Sequence, residues 1–200
     1  RSLLAVFLRD GGFPEPWVRN VDRRDYLRTL VHSVLYKDIV KRFRIRSIQG
    51  LDDLAGYLFS NVAKEFSYQN LTRVTRCQSV HTVEKYMRYL EEAFLFFTVR
   101  RFSFKVREQA ASNKKAYCVD TGLAVALGFR SSPDEGRLME NLVAIELHKS
   151  ELKGDVQVFF WRGVANEEVD FVVRKGLEVA ALIQVCLDVS DPGTNSREVR

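Results

Sequence analysis

The clearest pattern of apolar and polar positions in the chain follows Ser47. Apolar side chains recur there at intervals of three and four residues, at Leu51, Leu54, Ala55, Leu58, Phe59 and Val62. Side chains with this spacing share one face of an α-helix. The pattern therefore predicts an amphipathic helix with Ser47 as its N-cap. Weaker periodicities predict further helices over residues 22–44, from Ser67 to Cys77, and over 79–92 and 133–152.

Segments rich in aromatic and β-branched residues predict the strands. They cover residues 93–104, 115–119, 156–162, 168–174 and 178–187. Three helices followed by the strand at 93–104 predict a winged helix-turn-helix over residues 46–112. The order of one helix and three strands after residue 133 predicts a small mixed sheet within residues 113–200. The expected fold class is α+β, with a helical segment over residues 1–45 that continues from an upstream domain.

Composition excludes several classes of protein. The chain has 200 residues, 46% hydrophobic, with only 4 Pro and 11 Gly, which excludes a disordered or collagen-like protein. Cys77, Cys118 and Cys186 are far apart and form no CxxC pair, so we expect neither a disulfide framework nor a zinc knuckle. No apolar run approaches the roughly 20 residues of a membrane span. We therefore expect a cytoplasmic protein with no membrane partner.

Charge divides the chain into two unlike parts. Residues 1–115 hold 22 Lys and Arg against 12 Asp and Glu, and residues 116–200 hold 9 against 14. The first part thus carries +10 and the second −5. A basic part of this kind predicts a polyanion as its partner, double-stranded DNA being the expected one, although a solvated basic surface would have the same composition.

The helix predicted over 79–92 has one apolar and one polar side. A recognition helix needs cationic and polar groups on its exposed side, for phosphates and base edges. The same surface would serve a protein-docking module, and Glu84, Glu91 and Glu92 on this helix would repel DNA. The candidate nucleic-acid-binding residues are His81, Lys85, Arg88 and Tyr89 on the helix, and Arg100, Arg101, Lys105 and Arg107 in the following wing.

Carboxylates on the later elements form a candidate metal site. Glu168 and Asp170 project from one face of their strand, as residues two apart do. With Glu140 on the preceding helix they would hold Mg²⁺ through oxygen ligands. The next strand presents Gln184 and Cys186, so the lysine that would complete a phosphodiesterase site is missing from this pattern.

Taken together, several motifs resemble those of a known family. They are Gly11-Gly12-Phe13-Pro14-Glu15, Tyr36-Lys37-Asp38-Ile39, the helix Thr82 to Glu91, Lys115 to Leu123, Glu140-Asn141-Leu142-Val143, Trp161-Arg162, Glu168 to Val172 and Ile183 to Cys186. The chain resembles the C-terminal region of archaeal and bacterial AAA+-like P-loop ATPases that carry a domain of unknown function similar to the PD-(D/E)XK nucleases. No GxxxxGK[ST] motif occurs in the sequence, so the resemblance implies that ATP belongs only to an upstream domain.

The resemblance implies a degenerate nuclease site. Its residues would be Glu140, Asp170 and the tripeptide Gln184-Val185-Cys186, which stands where active nucleases have (D/E)XK. Gln184 carries no charge, and Cys186 is a thiol where an ammonium is expected. Loss of one such stabiliser lowers a rate by a factor on the order of 10² to 10³.

The expected function is that of a non-catalytic region that binds DNA or docks a partner, the upstream ATPase domain included, and that needs no cofactor. One alternative is a Mg²⁺-dependent nuclease that uses Glu140, Asp170 and Glu168, with Arg162 or Lys175 as its cation. The other is a pure protein-interaction module. The C-terminal segment 195–200 reads as the start of a further, truncated helix.

Overall fold

The computed structural model describes residues 2–19, 21–129, 134–165 and 167–187. It confirms the predicted α+β class, with helices packed around an open, mixed sheet. The helix predicted at 195–200 lies outside the described residues. The described helices are α1 (Leu3–Asp10), α2 (Glu15–Val18), α3 (Arg23–Ser33), a π-helical turn (Val34–Val40), α4 (Lys41–Phe43), α5 (Ile48–Ser60), α6 (Tyr68–Val74), α7 (Val80–Glu92), α8 (Val106–Ala111), α9 (Thr121–Leu127) and α10 (Glu135–Leu152).

The sheet has six strands in the order β1-β3-β2-β4-β5-β6. All neighbours are antiparallel except β2 and β4, which are parallel. Within the described residues, no helix is both long and apolar enough to span a membrane. The strands are β1 (Glu65–Phe66), β2 (Phe96–Arg101), β3 (Lys114–Cys118), β4 (Gln157–Arg162), β5 (Glu168–Lys175) and β6 (Glu178–Ile183).

The amphipathic helix predicted after Ser47 is confirmed. All six apolar side chains of its stripe are buried in a core that also takes in Leu8 and Leu123. Ser47 occupies the N-cap position, as predicted, but its side chain forms no capping hydrogen bond. The third predicted strand of the C-terminal part is shorter than expected, since β6 ends at Ile183.

One sheet joins residues on both sides of the boundary predicted at residue 112. Strand β2 pairs with β3 on one side and with β4 on the other. A short helix, α8, lies in the connection between β2 and β3, the segment predicted as the wing. The division into segments 1–45, 46–112 and 113–200 stays a prediction.

Asp120 connects the N-terminal segment to the rest of the fold. It is the N-cap of α9, where Oδ1 accepts a hydrogen bond from Leu123 N at 3.1 Å. Its other oxygen accepts a hydrogen bond from Gly12 N at 2.6 Å. Gly11 has φ +75°, and a Cβ there would lie 2.2 Å from Asp120 Oδ1. Glycine at position 11 is therefore required both by its backbone conformation and by the close approach of Asp120.

Asn141 fixes α10 against strand β3. Its side chain is fully buried, accepts a hydrogen bond from Cys118 N at 2.8 Å and donates one to Cys118 O at 2.8 Å. Both backbone groups of Cys118 are thereby paired at a position that water does not reach. This double contact sets the position of the neighbouring Glu140 relative to β3.

We expect Gly11→Ala to lower the free energy of unfolding by about 3 kcal/mol, because the new Cβ meets Asp120 and the backbone becomes strained. Gly154→Ala is the matched control, since Gly154 also has a positive φ, +82°, but open space around it. The control should lose only about 1 kcal/mol. Urea denaturation of both variants measures the difference, and equal losses would contradict the steric role of Asp120.

Asn141→Ala should lower the free energy of unfolding by about 2–3 kcal/mol, because both backbone groups of Cys118 lose their partners. Asn70→Ala, at an exposed position of α6, should change it by less than about 0.5 kcal/mol. Thermal and urea unfolding test both variants. A loss at Asn141 no larger than the loss at Asn70 would show that this contact does not hold α10.

Candidate functional site

A buried lysine lies at the centre of the predicted carboxylate site. Lys115 Nζ lies 2.9 Å from Glu140 Oε1, 2.5 Å from Glu168 Oε1 and 3.3 Å from Asp170 Oδ1. We call these four residues the carboxylate–lysine cluster. The structure thus brings together the predicted Glu140, Glu168 and Asp170, and adds a cation that the sequence analysis did not assign to them.

Three elements supply the side chains of the cluster. Lys115 and Tyr117 are two residues apart on β3 and therefore project from one face of the sheet. Glu168 and Asp170 do the same on β5, as predicted. Glu140 reaches this face from α10, where it also accepts a hydrogen bond from the Tyr117 hydroxyl at 2.7 Å.

The cluster is shielded from solvent. The exposed fraction of the side chain is 3% for Lys115, 8% for Asp170, 12% for Glu140 and 33% for Glu168. Burial alone would lower the pKa of Lys115, but the neighbouring carboxylates outweigh it and the pKa rises. Lys115 is therefore a cation at neutral pH.

Burial acts in the opposite direction on the acids. It raises the pKa of Glu140 above its ordinary value, although the ammonium of Lys115 opposes this shift. Burial also raises the pKa of Tyr117, and the adjacent Glu140 raises it further. Tyr117 is thus a neutral hydrogen-bond donor to the cluster.

The tripeptide predicted to replace (D/E)XK lies just after β6. Gln184 Oε1 accepts a hydrogen bond from Asp170 N at 3.2 Å, and Val185 N donates to Asp170 Oδ2 at 3.0 Å. Cys186 is half-buried and forms no hydrogen bond or ion pair in the part of the chain that the structure describes. This segment therefore holds Asp170 in place through one amide side chain and one backbone N–H.

Position 186 holds no lysine, as predicted. The expectation that the site as a whole lacks a lysine is wrong, because Lys115 reaches it from another strand. Arg162, one of the two cations weighed for the role, pairs with Glu65 at 3.1 Å. Lys175 is exposed and pairs in register with Glu178 at the far end of β5. Lys115 was counted with the basic part of the chain, residues 1–115, although the residues that follow it, Ala116 to Val119, are apolar. A lysine inside an apolar strand was the signal that could have identified it.

The residues do not fit a divalent metal. Mg²⁺ needs oxygen ligands at about 2.0–2.1 Å in octahedral geometry, whereas an ammonium group already lies between these carboxylates. Among residues 2–19, 21–129, 134–165 and 167–187, no group of three or more His, Cys, Asp or Glu side chains is arranged to hold a metal ion. Chemically, the cluster is an internal ion-pair network.

Most predicted nucleic-acid-binding residues are exposed, but Tyr89 is not. Tyr89 is buried and stacks on Phe43, with ring centroids 3.6 Å apart, so its predicted outward position is wrong. Arg101 is half-buried and donates a hydrogen bond to the backbone oxygen of Arg162. The exposed members of the set are His81, Lys85 and Arg88 on α7, Arg100 on β2, and Lys105 and Arg107 in the β2–β3 connection.

Comparisons with known proteins place the chain among families without an assigned function. Residues 135–185 match a model described as Domain of unknown function (DUF4143). An uncharacterized protein of Methanocaldococcus jannaschii is 28% identical over 207 residues, covering 98% of this chain and 44% of the relative. An uncharacterized protein of Haemophilus influenzae is 26% identical over 196 residues, covering 95% of this chain and 47% of the relative.

The chain thus spans less than half the length of these curated relatives. No solved structure matches it. A second family model covers residues 2–134, which is more than half of the chain. The chain therefore belongs to the family described as Domain of unknown function (DUF8612).

Proposed function

We propose that this chain is a non-catalytic, DNA-binding C-terminal region of a larger AAA+-like P-loop ATPase. The observation that carries the proposal is the arrangement of α5, β1, α6, α7, β2 and β3. The three strands form an antiparallel sheet in the order β1-β3-β2. This element order and strand order support a winged helix-turn-helix, in which α7 would be the recognition helix and the β2–β3 connection the wing.

The exposed side of α7 offers cations to a phosphate backbone. Lys85 Nζ lies 5.8 Å from the ring centroid of Tyr89, and the guanidinium carbon of Arg88 lies 5.7 Å from it. Tyr89 is fixed by its stack on Phe43, so it supports both cations from below. Its role in the proposal is therefore to position Lys85 and Arg88 and not to stack on a base.

The wing adds two exposed cations. Lys105 and Arg107 lie at the start of α8, and Lys105 pairs with Glu108 at 2.9 Å. On the recognition helix α7, Arg88 is likewise paired with a carboxylate, that of Glu92, at 3.6 Å. Exposed ion pairs of this kind are worth about 0–1 kcal/mol, so a phosphate group can replace the carboxylate.

Two observations support a larger parent protein: the family resemblance of the sequence and the greater length of the relatives. The curated relatives are more than twice as long as this chain. We assign the nucleotide chemistry to the part that they have in addition, because this sequence holds no phosphate-binding loop. The proposed division of labour is ATP hydrolysis upstream and DNA contact here.

A nuclease is the second candidate, and one observation favours it. Lys115 brings to Asp170 and Glu140 the ammonium group that the tripeptide at 184–186 lacks. A lysine in this position could stabilise the charge of a scissile phosphate. Against it stands the position of the ammonium group, which lies between these carboxylates where a metal ion would bind, and we therefore place the binding function first.

DNA binding predicts a steep dependence on salt. Fluorescence anisotropy with a duplex should show binding at low salt that weakens as salt rises, because phosphate contacts release counterions. Lys85→Ala/Arg88→Ala should bind more weakly and reduce the slope of log K against log salt by about 2. Lys149→Ala/Lys153→Ala removes the same charge from the end of α10 and should leave the slope unchanged.

The DNA proposal fails if the protein does not bind at low salt, if binding is indifferent to salt, or if both double variants lose affinity equally. A protein that binds no duplex but is retained by the upstream ATPase portion in a pull-down would be an interaction module instead.

Supercoiled plasmid should remain intact when incubated with the wild type in Mg²⁺ or Mn²⁺, because Lys115 leaves these carboxylates no open metal position. Agarose gels measure nicking over time, with Asp170→Asn as the matched variant. Nicking by the wild type that Asp170→Asn abolishes would establish the nuclease. Equal nicking by both proteins would indicate a contaminant and leave the expected result standing.

A further inference from the structure

We infer that the ammonium group of Lys115 takes the place of a divalent cation in the carboxylate–lysine cluster, and that replacing Lys115 by an uncharged residue turns the cluster into a divalent-metal site. The inference rests on the proposed absence of catalysis at this site. It concerns the cluster alone and is independent of DNA binding by α7 and the wing.

The geometry is that of a cation with its oxygen shell. Three carboxylates from α10 and β5 converge on Nζ, at distances of 2.5 to 3.3 Å. An ammonium group has three N–H donors, and three carboxylates accept from it here. Its hydrogen-bonding capacity is therefore used completely by the cluster.

Neutral donors also hold the two most buried acids. Glu140 Oε1, the oxygen that faces Nζ, accepts a second hydrogen bond from the hydroxyl of Tyr117. The other oxygen of Asp170, Oδ2, accepts from the backbone N–H of Val185. These neutral donors would hold the same oxygens around a metal ion. The shell is thus built to hold a cation, and the protein supplies its own.

Lys115 cannot leave the cluster easily. Its backbone pairs with Val99 on one side and with Glu65 on the other, which places it on a strand with neighbours at both edges. Its ammonium group lies 5.6 Å from the ring centroid of Phe160, which covers it from the core. An external cation would therefore have to enter beside a fixed positive charge, which repels it strongly at this distance in a buried site.

Removing the charge of Lys115 leaves up to three carboxylates facing one another. Like charges at this distance destabilise the folded state unless a cation neutralises them. Oxygen-rich sites of this composition prefer hard divalent ions such as Mg²⁺ and Mn²⁺. A Lys115→Met chain should therefore depend on such an ion for its stability, whereas the wild type should not.

The test is thermal unfolding of the full chain with EDTA or with increasing Mn²⁺ at constant ionic strength. The wild type should melt at the same temperature in both. Lys115→Met should melt lower in EDTA, and its melting temperature should rise with the logarithm of the Mn²⁺ concentration. Direct titration should give this variant an affinity for Mn²⁺ on the order of a hundredfold or more above that of the wild type.

Two controls make the result specific. Lys115→Met/Asp170→Asn loses a ligand and should show no response to Mn²⁺. Lys149→Met removes an exposed lysine that pairs with Glu146 at 2.7 Å, and this variant should behave as the wild type does. If Lys115→Met does not fold in EDTA but folds in Mn²⁺, the inference is supported. If it stays unfolded in both, the inference is wrong.

Two further outcomes separate this inference from the proposed function. A wild type that Mn²⁺ stabilises, with the effect lost in Asp170→Asn, would overturn the inference and favour the nuclease. A folded Lys115→Met that ignores Mn²⁺ would also overturn it, but would leave the absence of catalysis in place. DNA binding is measured separately by anisotropy and depends on neither outcome.

Discussion

The C-terminal half of this molecule depends on the contact between Lys115 and three carboxylates, of which Glu140 and Asp170 are largely shielded from solvent and Glu168 is half-buried. Three acids on α10 and β5 would repel one another if they were brought together without a cation. The lysine comes from β3, so one ion-pair network joins a helix and two strands that are not neighbours in the sheet. Strand order, helix position and the chemistry of the pocket are therefore coupled through a single side chain.

Two sets of hydrogen bonds that involve no ion pair hold the frame in which this network forms. The carboxamide of Asn141 fixes α10 to the backbone of β3, one residue from Glu140 and three from Lys115. Asp120 caps α9 immediately after β3 and accepts a hydrogen bond from Gly12 at the other end of the fold. Asn141, Asp120 and Gly12 all belong to the motifs that carry the family resemblance. Asn141 positions the cluster, and Asp120 and Gly12 pack the N-terminal segment.

Local sequence patterns predicted most of the helices and strands, because the spacing that marks a helix or a strand involves only neighbouring residues. The buried stripe of α5 and the shared face of Glu168 and Asp170 follow from such spacing. Lys115 could not be placed in this way, because its partners are 25 to 55 positions away in the chain. The predicted outward position of Tyr89 was wrong for a related reason. The exposed face of its helix was inferred from one packing surface, whereas Phe43 on α4 supplies a second one.

The position of the cation also changes the meaning of the charge split. Lys115 belongs by sequence to the basic part of the chain, but in space it neutralises part of the acidic cluster. The missing lysine at 186 therefore does not by itself decide whether the pocket can act on a phosphodiester, since a cation is present beside the same aspartate. Activity on a phosphodiester depends instead on whether Lys115 lies beside a bound metal ion or replaces it. Three carboxylates converge on one ammonium group, and neutral donors hold Glu140 and Asp170 in position, which favours replacement of the metal ion by Lys115.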